Sequence, residues 1–227
     1  MGEQRRPLVL VAAGGLAREV LAVVRGAAAH EVIGVVDDDT ELHGRDVDGV
    51  PVLGGLEVAA IHPTAELVIC AGKGSARARI ARRLARLGVP HERYGNVVHP
   101  SVDLPSGFAL DRGTILLAHV AVTADVRVGR HVVVMPNATI THDDVLEDFA
   151  TICAGVSLGG WVVVGEQAYL GMNSSVRERV RIGRGATLGM AAALLTDVPD
   201  GETWAGVPAR RLAATVPGHP SRVGVAS

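Results

Sequence analysis

Beyond Asn96 the aliphatic residues recur with a period of six. The series that starts at Val98 and ends at Leu194 has seventeen positions, and each of them is Val, Leu or Ile. If about a quarter of all residues were of these types, such a run would arise by chance on the order of once in ten billion sequences, so the segment is a true repeat. One aliphatic residue per hexad predicts short strands joined by tight corners.

Three such hexads close one triangular coil, so eighteen residues return the chain to the same corner, one strand spacing further along. The repeat predicts an all-β left-handed parallel β-helix of roughly five to six coils, a known exception to right-handed crossover connections. Glycine often follows the aliphatic position, as at Gly159 and Gly171, where we expect a corner that needs a residue without Cβ. Two residues before the aliphatic position the side chain is often small, as at Ala138, Ala150 and Ala168.

The first half of the chain has a different pattern. Apolar runs at 8–11, 32–36 and 67–71 predict strands, and amphipathic stretches at 17–28 and 75–87 predict helices, which together indicate an α/β Rossmann-like lobe. Turn-forming residues follow each strand, at 14–15, 37–39 and 72–74, and ligands of such sheets bind at these carboxyl ends. We predict a Rossmann-like substrate-binding domain at 1–95, a β-helix domain at 96–212 and a C-terminal tail at 213–227.

Composition and charge narrow the classes of function. Apolar residues make up 48% of the 227-residue chain and aromatic residues only 3%, so Val, Leu, Ile and Ala must fill the core. The 22 basic and 24 acidic residues are interspersed and leave a net charge of -2, which argues against nucleic acid or a membrane as partner and favours a small molecule. With only two cysteines and no apolar stretch of the ~18 residues that span a membrane, we expect a cytoplasmic protein.

One corner of the repeat carries residues suited to catalysis. The eighteen-residue coil places His142 beside Gly160 on the next coil and Ala124 on the preceding one, which leaves an open slot around the imidazole. A backbone N–H from Gly159 or Gly160 would lie roughly 5 Å away, where it could polarise a carbonyl. Histidine accepts a proton near neutral pH and Asp143 can orient the ring, so the pair suits acyl transfer. The alternative is an ordinary surface His–Asp pair.

Other motifs indicate weaker hypotheses. His119 and His131 also lie at corners and raise the alternative of a zinc-bearing trimeric β-helix like the γ-class carbonic anhydrases, but the His-x4-His pair of that class is absent, and we interpret both as ordinary corner residues. The loop 12–17 lacks the glycines of a dinucleotide fingerprint, which disfavours a redox cofactor. Five arginines of the second helix are predicted to form its solvated face, opposite three inward aliphatic residues: Arg77, Arg79, Arg82, Arg83 and Arg86, opposite Ile80, Leu84 and Leu87.

Together these features resemble a known family. The Rossmann-like lobe, the crossing segment 97–101, the hexapeptide repeat with His142 and Asp143, the segment 170–174 and the closing segment 205–211 look like the sialic acid O-acetyltransferase and nucleotide-amino-sugar N-acetyltransferase family of hexapeptide-repeat acyltransferases. The resemblance covers nearly the whole chain, and the closing motif is specific to hexapeptide acyltransferases. It implies a homotrimer with active sites between neighbouring β-helices, acetyl-CoA laid along the coils as acyl donor, and no metal.

The resemblance also implies roles for particular residues. His142 matches the general base, Asp143 its acidic partner and Gly160 the backbone donor to the acetyl carbonyl. The residues implied in acetyl-CoA binding are Thr151, Gly159, Met172, Met190, Gly206, Val207, Pro208 and Arg211. The residues implied in acceptor binding are Ala13, Gly14, Gly15, Asp37, Asp38 and Lys73.

The sequence departs from the family at two places. Many members carry a second histidine, in contact with the thioester, where this chain has Thr151, and the first loop, normally Gly-x-Ser-Gly-His-Gly, here reads Ala-Ala-Gly-Gly-Leu-Ala at 12–17. We expect an acetyl-CoA-dependent acetyltransferase acting on the amine of a nucleotide-linked amino sugar. The alternatives are O- or N-acylation of a different sugar or natural product, and a non-catalytic nucleotide-binding β-helix scaffold.

Overall fold

The chain forms an N-terminal α/β lobe followed by a long coil of short parallel strands, in a computed structural model that describes residues 5–27 and 29–213. The predicted tail at 213–227 lies outside the described residues except for its first residue. Within the described ranges, each helix is too short or too polar to cross a membrane.

The lobe is built on a five-stranded sheet with the strand order β3-β4-β2-β1-β5. Its elements are β1 (Arg6–Val11), α1 (Gly15–Gly26), β2 (His30–Val36), β3 (Asp46–Val47), β4 (Val50–Gly54), α2 (Leu56–Ala60), β5 (Glu66–Ile69) and α3 (Gly74–Arg86). Neighbouring strands are parallel except for β3 and β4. The side chains from Leu8 to Val11 are fully buried, as expected for a central parallel strand covered on both faces.

The sequence pattern predicts β1, β2, β5, α1 and α3 but not the elements between β2 and β5. β3 and α2 are only two and five residues long. β4 alternates buried and exposed side chains and contains a proline, so the segment lacks the continuous apolar run that marked the other strands. The lobe therefore has two more strands than we predicted.

Beyond the lobe the chain winds into a β-helix of two-residue strands. These strands are β6 (Val97–Val98), β7 (Ile115–Leu116), β8 (Ala121–Val122), β9 (Arg127–Val128), β10 (Val133–Val134), β11 (Thr139–Ile140), β12 (Val145–Leu146), β13 (Thr151–Ile152), β14 (Ser157–Leu158), β15 (Val163–Val164), β16 (Tyr169–Leu170), β17 (Ser175–Val176), β18 (Arg181–Ile182), β19 (Thr187–Leu188) and β20 (Ala193–Leu194). Strands eighteen residues apart pair in parallel, as Val133, Thr151 and Tyr169 do. The predicted parallel β-helix with a six-residue period is confirmed.

The strands form three flat sheets, which we name by position. The lobe face contains β6, β7, β10, β13, β16, β19 and the closing β21 (Thr203–Ala205) and β22 (Arg210–Arg211). The small-residue face contains β8, β11, β14, β17 and β20, and the third face contains β9, β12, β15 and β18. The first coil is less regular than the period predicts, because Leu104 lies outside the strands and Leu110 forms only an isolated bridge with Val128.

The corners depend on close approach between coils. A Cβ at Gly159 would lie 2.6 Å from the backbone nitrogen of Glu178 on the next coil. The left-handed backbone conformation is instead adopted by non-glycine residues such as Asp143 and Trp161, with φ of 63° and 59°. Packing between coils, and not a positive φ, therefore explains the glycine at this position.

The lobe packs against the outward side of the lobe face. Ile115 and Val133 of the β-helix share one buried cluster with Leu8, Leu10 and Val20 of the lobe. Outward-facing residues of a β-helix ordinarily contact water, so these apolar side chains define the surface that the lobe covers.

Arg77 of α3 links the lobe to the β-helix from a buried position. Its guanidinium makes six hydrogen bonds, to the carbonyl oxygens of Ala71, Gly72, His131, Phe149 and Ala150 and to the hydroxyl of Thr151. The prediction that Arg77 lies on the solvated face of the helix is wrong, because the residue is fully buried. The helix presents its other four arginines to solvent, and Leu87, predicted to face inward, is 40% exposed.

Candidate active site

His142 lies at the corner between β11 and β12, where the small-residue face meets the third face. Nδ1 of its imidazole is 2.9 Å from Oδ2 of Asp143. The Nδ1–H group therefore donates to the carboxylate, and Nε2 keeps its lone pair. Because the side chain is 49% exposed, a substrate can approach this nitrogen, and the arrangement is the one a general base needs.

Gly160 lies directly against the imidazole, one coil further along. A Cβ at this position would be 2.4 Å from Cε1 and 2.5 Å from Nε2 of His142, so only glycine fits. Gly159 donates its N–H to the carbonyl oxygen of Val176, whereas the N–H of Gly160 has no acceptor within the part of the chain that the structure describes. Gly160, and not Gly159, can thus offer a backbone donor to a substrate oxygen.

A buried carboxylate supports this corner from inside the coil. Asp144 is fully buried and accepts hydrogen bonds of 2.8 Å from the backbone N–H groups of Thr141 and Val162, which joins two consecutive coils. Burial raises the pKa of Asp144 to about 6, and the two backbone donors oppose this rise. Asp144 was not among the residues predicted from the sequence, although it stands at the inward position where other hexads carry alanine, serine or valine. A charged residue at that position was the available indication.

Trp161 and Arg179 form the outer wall of the corner. The ring centroids of Trp161 and His142 are 4.6 Å apart and the rings are nearly perpendicular, at 88°. The guanidinium of Arg179 lies 4.3 Å from the indole centroid, a cation–π contact. Neither residue was predicted from the sequence to belong to the site. A left-handed backbone conformation is unusual for a residue as bulky as Trp161, which is half-exposed. With Gly160 and Asp143, Trp161 fixes the imidazole from a third side.

The small-residue face forms a shallow floor beside this corner. Its outward side chains are those of Ala121, Thr139, Ser157, Ser175 and Ala193. The opposite edge of the same face carries Met172 and Met190, which are 49% and 71% exposed. His142 and the two methionines therefore lie on opposite edges of one face whose side chains leave room for a ligand.

The closing segment continues the edge that carries Met190. The N–H of Ala193 donates to the carbonyl oxygen of Gly206, and the neighbouring Val207 is 76% exposed. Pro208 is also exposed. Arg211 forms an ion pair of 3.2 Å with Glu202, so its charge is already partly neutralised. The structure thus groups the predicted acetyl-CoA residues Met172, Met190, Gly206, Val207 and Pro208 along one edge.

The two aspartates predicted to bind the acceptor hold the lobe's own loops. Oδ2 of Asp37 accepts from the N–H of Ala13 at 2.8 Å, and Oδ1 accepts from the N–H of Asp39 at 2.9 Å. Asp38 forms an ion pair with Arg83 of α3. Both carboxylates therefore order the carboxyl edge of the sheet, and an acceptor could use only their remaining lone pairs.

Lys73 lies at a cavity of about 450 Å³ between α3 and the lobe face. The lysine and Ser75 line it from the lobe, and Gln167, Tyr169 and Thr187 line it from the β-helix. α3 begins beside this cavity, so its positive N-terminal end and the lysine both favour an anionic group there. Gly14 and Gly15, at the start of α1, are exposed and have open space around them.

Two predictions about the β-helix need correction. Thr151 is fully buried, and its hydroxyl donates to the carbonyl oxygen of Gly72 and accepts from Arg77, both at 3.0 Å. It cannot contact acetyl-CoA as predicted, because the lobe covers the face on which it stands.

His131 is not an ordinary exposed corner residue, since its side chain is only 3% exposed and burial lowers its pKa to about 4. His119 is exposed, as expected of a corner residue.

Comparisons with known proteins agree with this architecture. Residues 7–84 match the family model described as the PglD N-terminal domain. The acetyltransferase domain of PglB from Neisseria gonorrhoeae FA1090 has a TM-score of 0.81 and 30% identity, with 92% of this chain and 100% of that chain covered. The chain belongs to the nucleotide-amino-sugar N-acetyltransferase family. The prediction of an acetyl-CoA-dependent acyltransferase is confirmed at the level of this family.

Further relatives of this acetyltransferase are similar over different lengths. PerB from Caulobacter crescentus, in complex with CoA and GDP-perosamine, has a TM-score of 0.83 and 28% identity, with 91% of this chain and 97% of that chain covered. GDP-perosamine N-acetyltransferase of Escherichia coli O157:H7 is 24% identical over 209 residues, which cover 88% of this chain and 93% of the relative. By contrast, the UDP-3-O-acylglucosamine N-acyltransferase of Caulobacter sp. (strain K31) is 29% identical over 116 residues, which are 51% of this chain. The match covers only 32% of that longer relative.

The acetyltransferase shows no cluster of metal ligands in the residues that the structure covers, 5–27 and 29–213. In these ranges no three His, Cys, Asp or Glu side chains come together in a way that could hold a metal ion.

Proposed function

We propose that this acetyltransferase transfers the acetyl group of acetyl-CoA to the amine of a nucleotide-linked amino sugar, with His142 as general base. The amine nitrogen attacks the thioester carbonyl carbon while Nε2 of His142 takes a proton from that nitrogen. The N–H of Gly160 donates to the oxyanion that forms. The tetrahedral intermediate then expels the CoA thiolate, which accepts the amine-derived proton from the imidazolium, and the N-acetylated sugar remains.

The geometry of three residues carries this proposal. The carboxylate of Asp143 fixes the Nδ1–H tautomer at 2.9 Å, and the contact with Gly160 brings an unused backbone donor beside Nε2. A base and an oxyanion donor within one strand spacing of each other are what acyl transfer to an amine requires.

We propose that acetyl-CoA lies along the small-residue face, from His142 towards Met172, Met190 and the closing segment 206–208. The small outward side chains leave space for the pantetheine arm, and exposed methionines are adaptable apolar contacts for such a chain. The structures of PglB with acetyl coenzyme A and of PerB with CoA support this choice of donor.

The acceptor is proposed to bind on the lobe, with its phosphates at the Lys73 cavity and beside Gly14 and Gly15. The positive end of α3 and the lysine supply the charge that a nucleoside diphosphate needs. PerB was solved with GDP-perosamine, a nucleotide-linked amino sugar. This likeness supports an acceptor of the same class for this chain.

We propose a homotrimer in which each site is completed by a neighbouring chain. The lobe packs on the lobe face, whereas His142 lies at the corner between the other two faces, so the core of the β-helix separates the lobe from His142 of the same chain. An acceptor on the lobe therefore needs the imidazole of another subunit.

We also propose left-handed winding of the β-helix and the domain division 1–95, 96–212 and 213–227. We further propose a cytoplasmic location, which suits two buried free thiols.

The test replaces His142 and a matched corner histidine. With acetyl-CoA and GDP-perosamine as probes and thiol release as readout, His142→Asn should lower kcat about 100- to 10,000-fold, because the proton acceptor is lost. His119→Asn changes a histidine at another exposed corner and should leave kcat within about twofold of the unmodified protein. Both variants should still gain thermal stability with CoA, since a ligand of the folded state raises the melting temperature.

A His142→Asn variant with nearly normal kcat, alongside normal CoA binding, contradicts the role of His142. Failure of the unmodified protein to release thiol with any nucleotide-linked amino sugar contradicts the proposed acceptor class.

A further inference from the structure

A second cavity, of about 310 Å³, lies between α3 and the β-helix at a corner that the proposed reaction does not use. One wall consists of alanines on a single face of α3, among them Ala78, Ala81 and Ala85. Small side chains three and four residues apart leave a slot along the helix instead of filling it. The volume is at the lower end of the range for small-molecule sites, about 300–1,000 Å³.

The opposite wall is a cluster of flat rings in a chain that has few of them. His131 stacks on Phe149 with centroids 5.0 Å apart and an angle of 7°. Tyr94 meets His131 edge-on at 4.5 Å, and His91 lies 6.1 Å from Tyr94. All four rings line the cavity. Only 3% of the residues are Phe, Trp or Tyr, so two of them beside two histidines make this the kind of surface on which a planar ligand stacks.

His131 is a buried polar group without a protein partner for Nδ1 among the described residues. Nδ1 lies against Gly113, where an added Cβ would be 2.2 Å away. Since no acceptor is available there, the neutral ring is better protonated at Nε2, the nitrogen on the other side of the imidazole. A neutral His131 with a donor at Nε2 suits a ligand that offers an oxygen acceptor.

Positive charge surrounds the cavity. Arg82 of α3 and Arg130 of the β-helix line it. Of the nearby carboxylates, Asp148 is paired with Arg130, and Asp111 and Glu166 also interact electrostatically with Arg130. Arg82 is exposed and available for an anion. Arginine binds carboxylate and phosphate oxygens in a planar, two-pronged geometry.

We infer that this cavity binds a planar aromatic ring that carries a carboxylate or a phosphate. The ring inserts between the alanines of α3 and the stacked His131 and Phe149, the anionic group pairs with Arg82, and Nε2–H of His131 donates to a ligand oxygen. This binding site is separate from the catalytic corner, and it does not depend on the identity of the acceptor.

The position of the site gives it a regulatory role. Nε of Arg77 donates to the carbonyl oxygen of His131 at 2.9 Å, and Nη1 of the same guanidinium donates to the carbonyl oxygen of Gly72 at 2.9 Å. Gly72 immediately precedes Lys73. A ligand that holds the His131 corner therefore also acts on the loop that we assign to the acceptor, a consequence that rests on the proposed function.

The first test is thermal unfolding of the full chain with benzoate and with phenyl phosphate at millimolar concentrations. At least one should raise the melting temperature by a few degrees, additively with CoA, because the sites are separate. Benzamide, cyclohexanecarboxylate and inorganic phosphate lack the charge, the planarity or the ring and should not. Benzoate and phenyl phosphate together tell whether the anion is a carboxylate or a phosphate.

Two variants localise the effect. Ala85→Leu places a larger side chain in the slot and should abolish the rise, whereas Ala22→Leu, the same change at an exposed position of α1, should retain it. The binding site is overturned if neither aromatic anion raises the melting temperature, if cyclohexanecarboxylate does so equally, or if Ala85→Leu responds like Ala22→Leu.

The regulatory part has its own readout. The effective aromatic anion should change the KM for GDP-perosamine at least twofold in the unmodified protein and not in Ala85→Leu. A constant KM, despite a rise in melting temperature, overturns the regulatory role and leaves the binding site standing. Absence of turnover with every nucleotide-linked amino sugar contradicts the proposed function, and the thermal measurements still decide whether the binding site exists.

Discussion

Replacing Arg77 by leucine should be among the most destabilising single changes on the surface between the lobe and the β-helix. Arg77 is fully buried and makes six hydrogen bonds, mostly to carbonyl oxygens of both units. Its charge faces no carboxylate among these partners. Burial therefore lowers the pKa of Arg77 to about 9 from 12.5, and the group stays protonated at neutral pH.

The magnitude follows from two opposing terms. Hydrogen bonds to a charged group contribute about 1.5 kcal/mol each at the lower end of the usual range, so six of them contribute on the order of 9 kcal/mol. The pKa difference between 12.5 and about 9 corresponds to a desolvation cost of about 5 kcal/mol. Leucine makes none of these hydrogen bonds and has no charge to desolvate, so Arg77→Leu should lower the free energy of unfolding by about 4 kcal/mol.

Urea unfolding measures this loss, with tryptophan fluorescence and far-ultraviolet circular dichroism as probes. Both tryptophans, Trp161 and Trp204, belong to the β-helix part of the chain, so fluorescence follows that unit, while circular dichroism also follows the helices of the lobe. Arg77→Leu should lower the free energy of unfolding and separate the two transitions. Arg77→Lys should not restore it, because one ammonium cannot reach acceptors on both sides.

Arg79→Leu is the matched control, since Arg79 is exposed on the same helix and the change should cost less than about 0.5 kcal/mol. An Arg77→Leu variant that stays within about 1 kcal/mol of the unmodified protein, with coincident transitions, would refute this reasoning.

The remaining predictions concern the proposed catalytic corner and the pH dependence of stability. Gly160→Ala should lower kcat about 100-fold, because the added Cβ would lie 2.4 Å from the ring of His142 and misplaced catalytic groups lose activity on this scale. Gly26→Ala should leave kcat unchanged, because a Cβ at Gly26 has no atom within 4 Å. Equal rates of thiol release for the two variants would contradict the assigned contact between Gly160 and His142. The pKa of His131 is lowered from 6.5 to about 4, so between these pH values the imidazole is protonated in the unfolded chain and neutral in the native state. This group alone therefore raises the free energy of unfolding by on the order of 3 kcal/mol from pH 4 to pH 6.5. The pKa of Asp144 is raised from 3.8 to about 6, so between these pH values the carboxyl group is protonated in the native state and ionised in the unfolded chain. This group therefore lowers the free energy of unfolding by a similar amount as the pH rises from about 4 to 6. Because the two contributions nearly cancel, His131→Phe should show a free energy of unfolding that decreases from pH 4 to 6 relative to the unmodified protein in urea titrations; parallel pH profiles for the two proteins would disprove the assignment.

The six-residue period also predicted part of the candidate site. Once eighteen residues define one coil, the position of Gly160 against His142 follows from counting, and the structure places the two in contact. Asp143 follows as the neighbour that can orient the ring. The six-residue period also places Asp144 at an inward position, where an aspartate is unusual, so this residue could have been predicted as part of the site.

The sequence by itself determined the β-helix and the corner that we propose as catalytic, because a short repeat fixes which side chains point inward and which residues stack on the next coil. Only the tertiary structure decided where the lobe packs. That packing turned Arg77 from a predicted surface residue into a buried link, and it buried Thr151 and His131 as well. Contacts between two units depend on surfaces far apart in the sequence, and the local period of neither unit contains them. Apolar outward residues such as Ile115 and Val133 were the local indication of that surface.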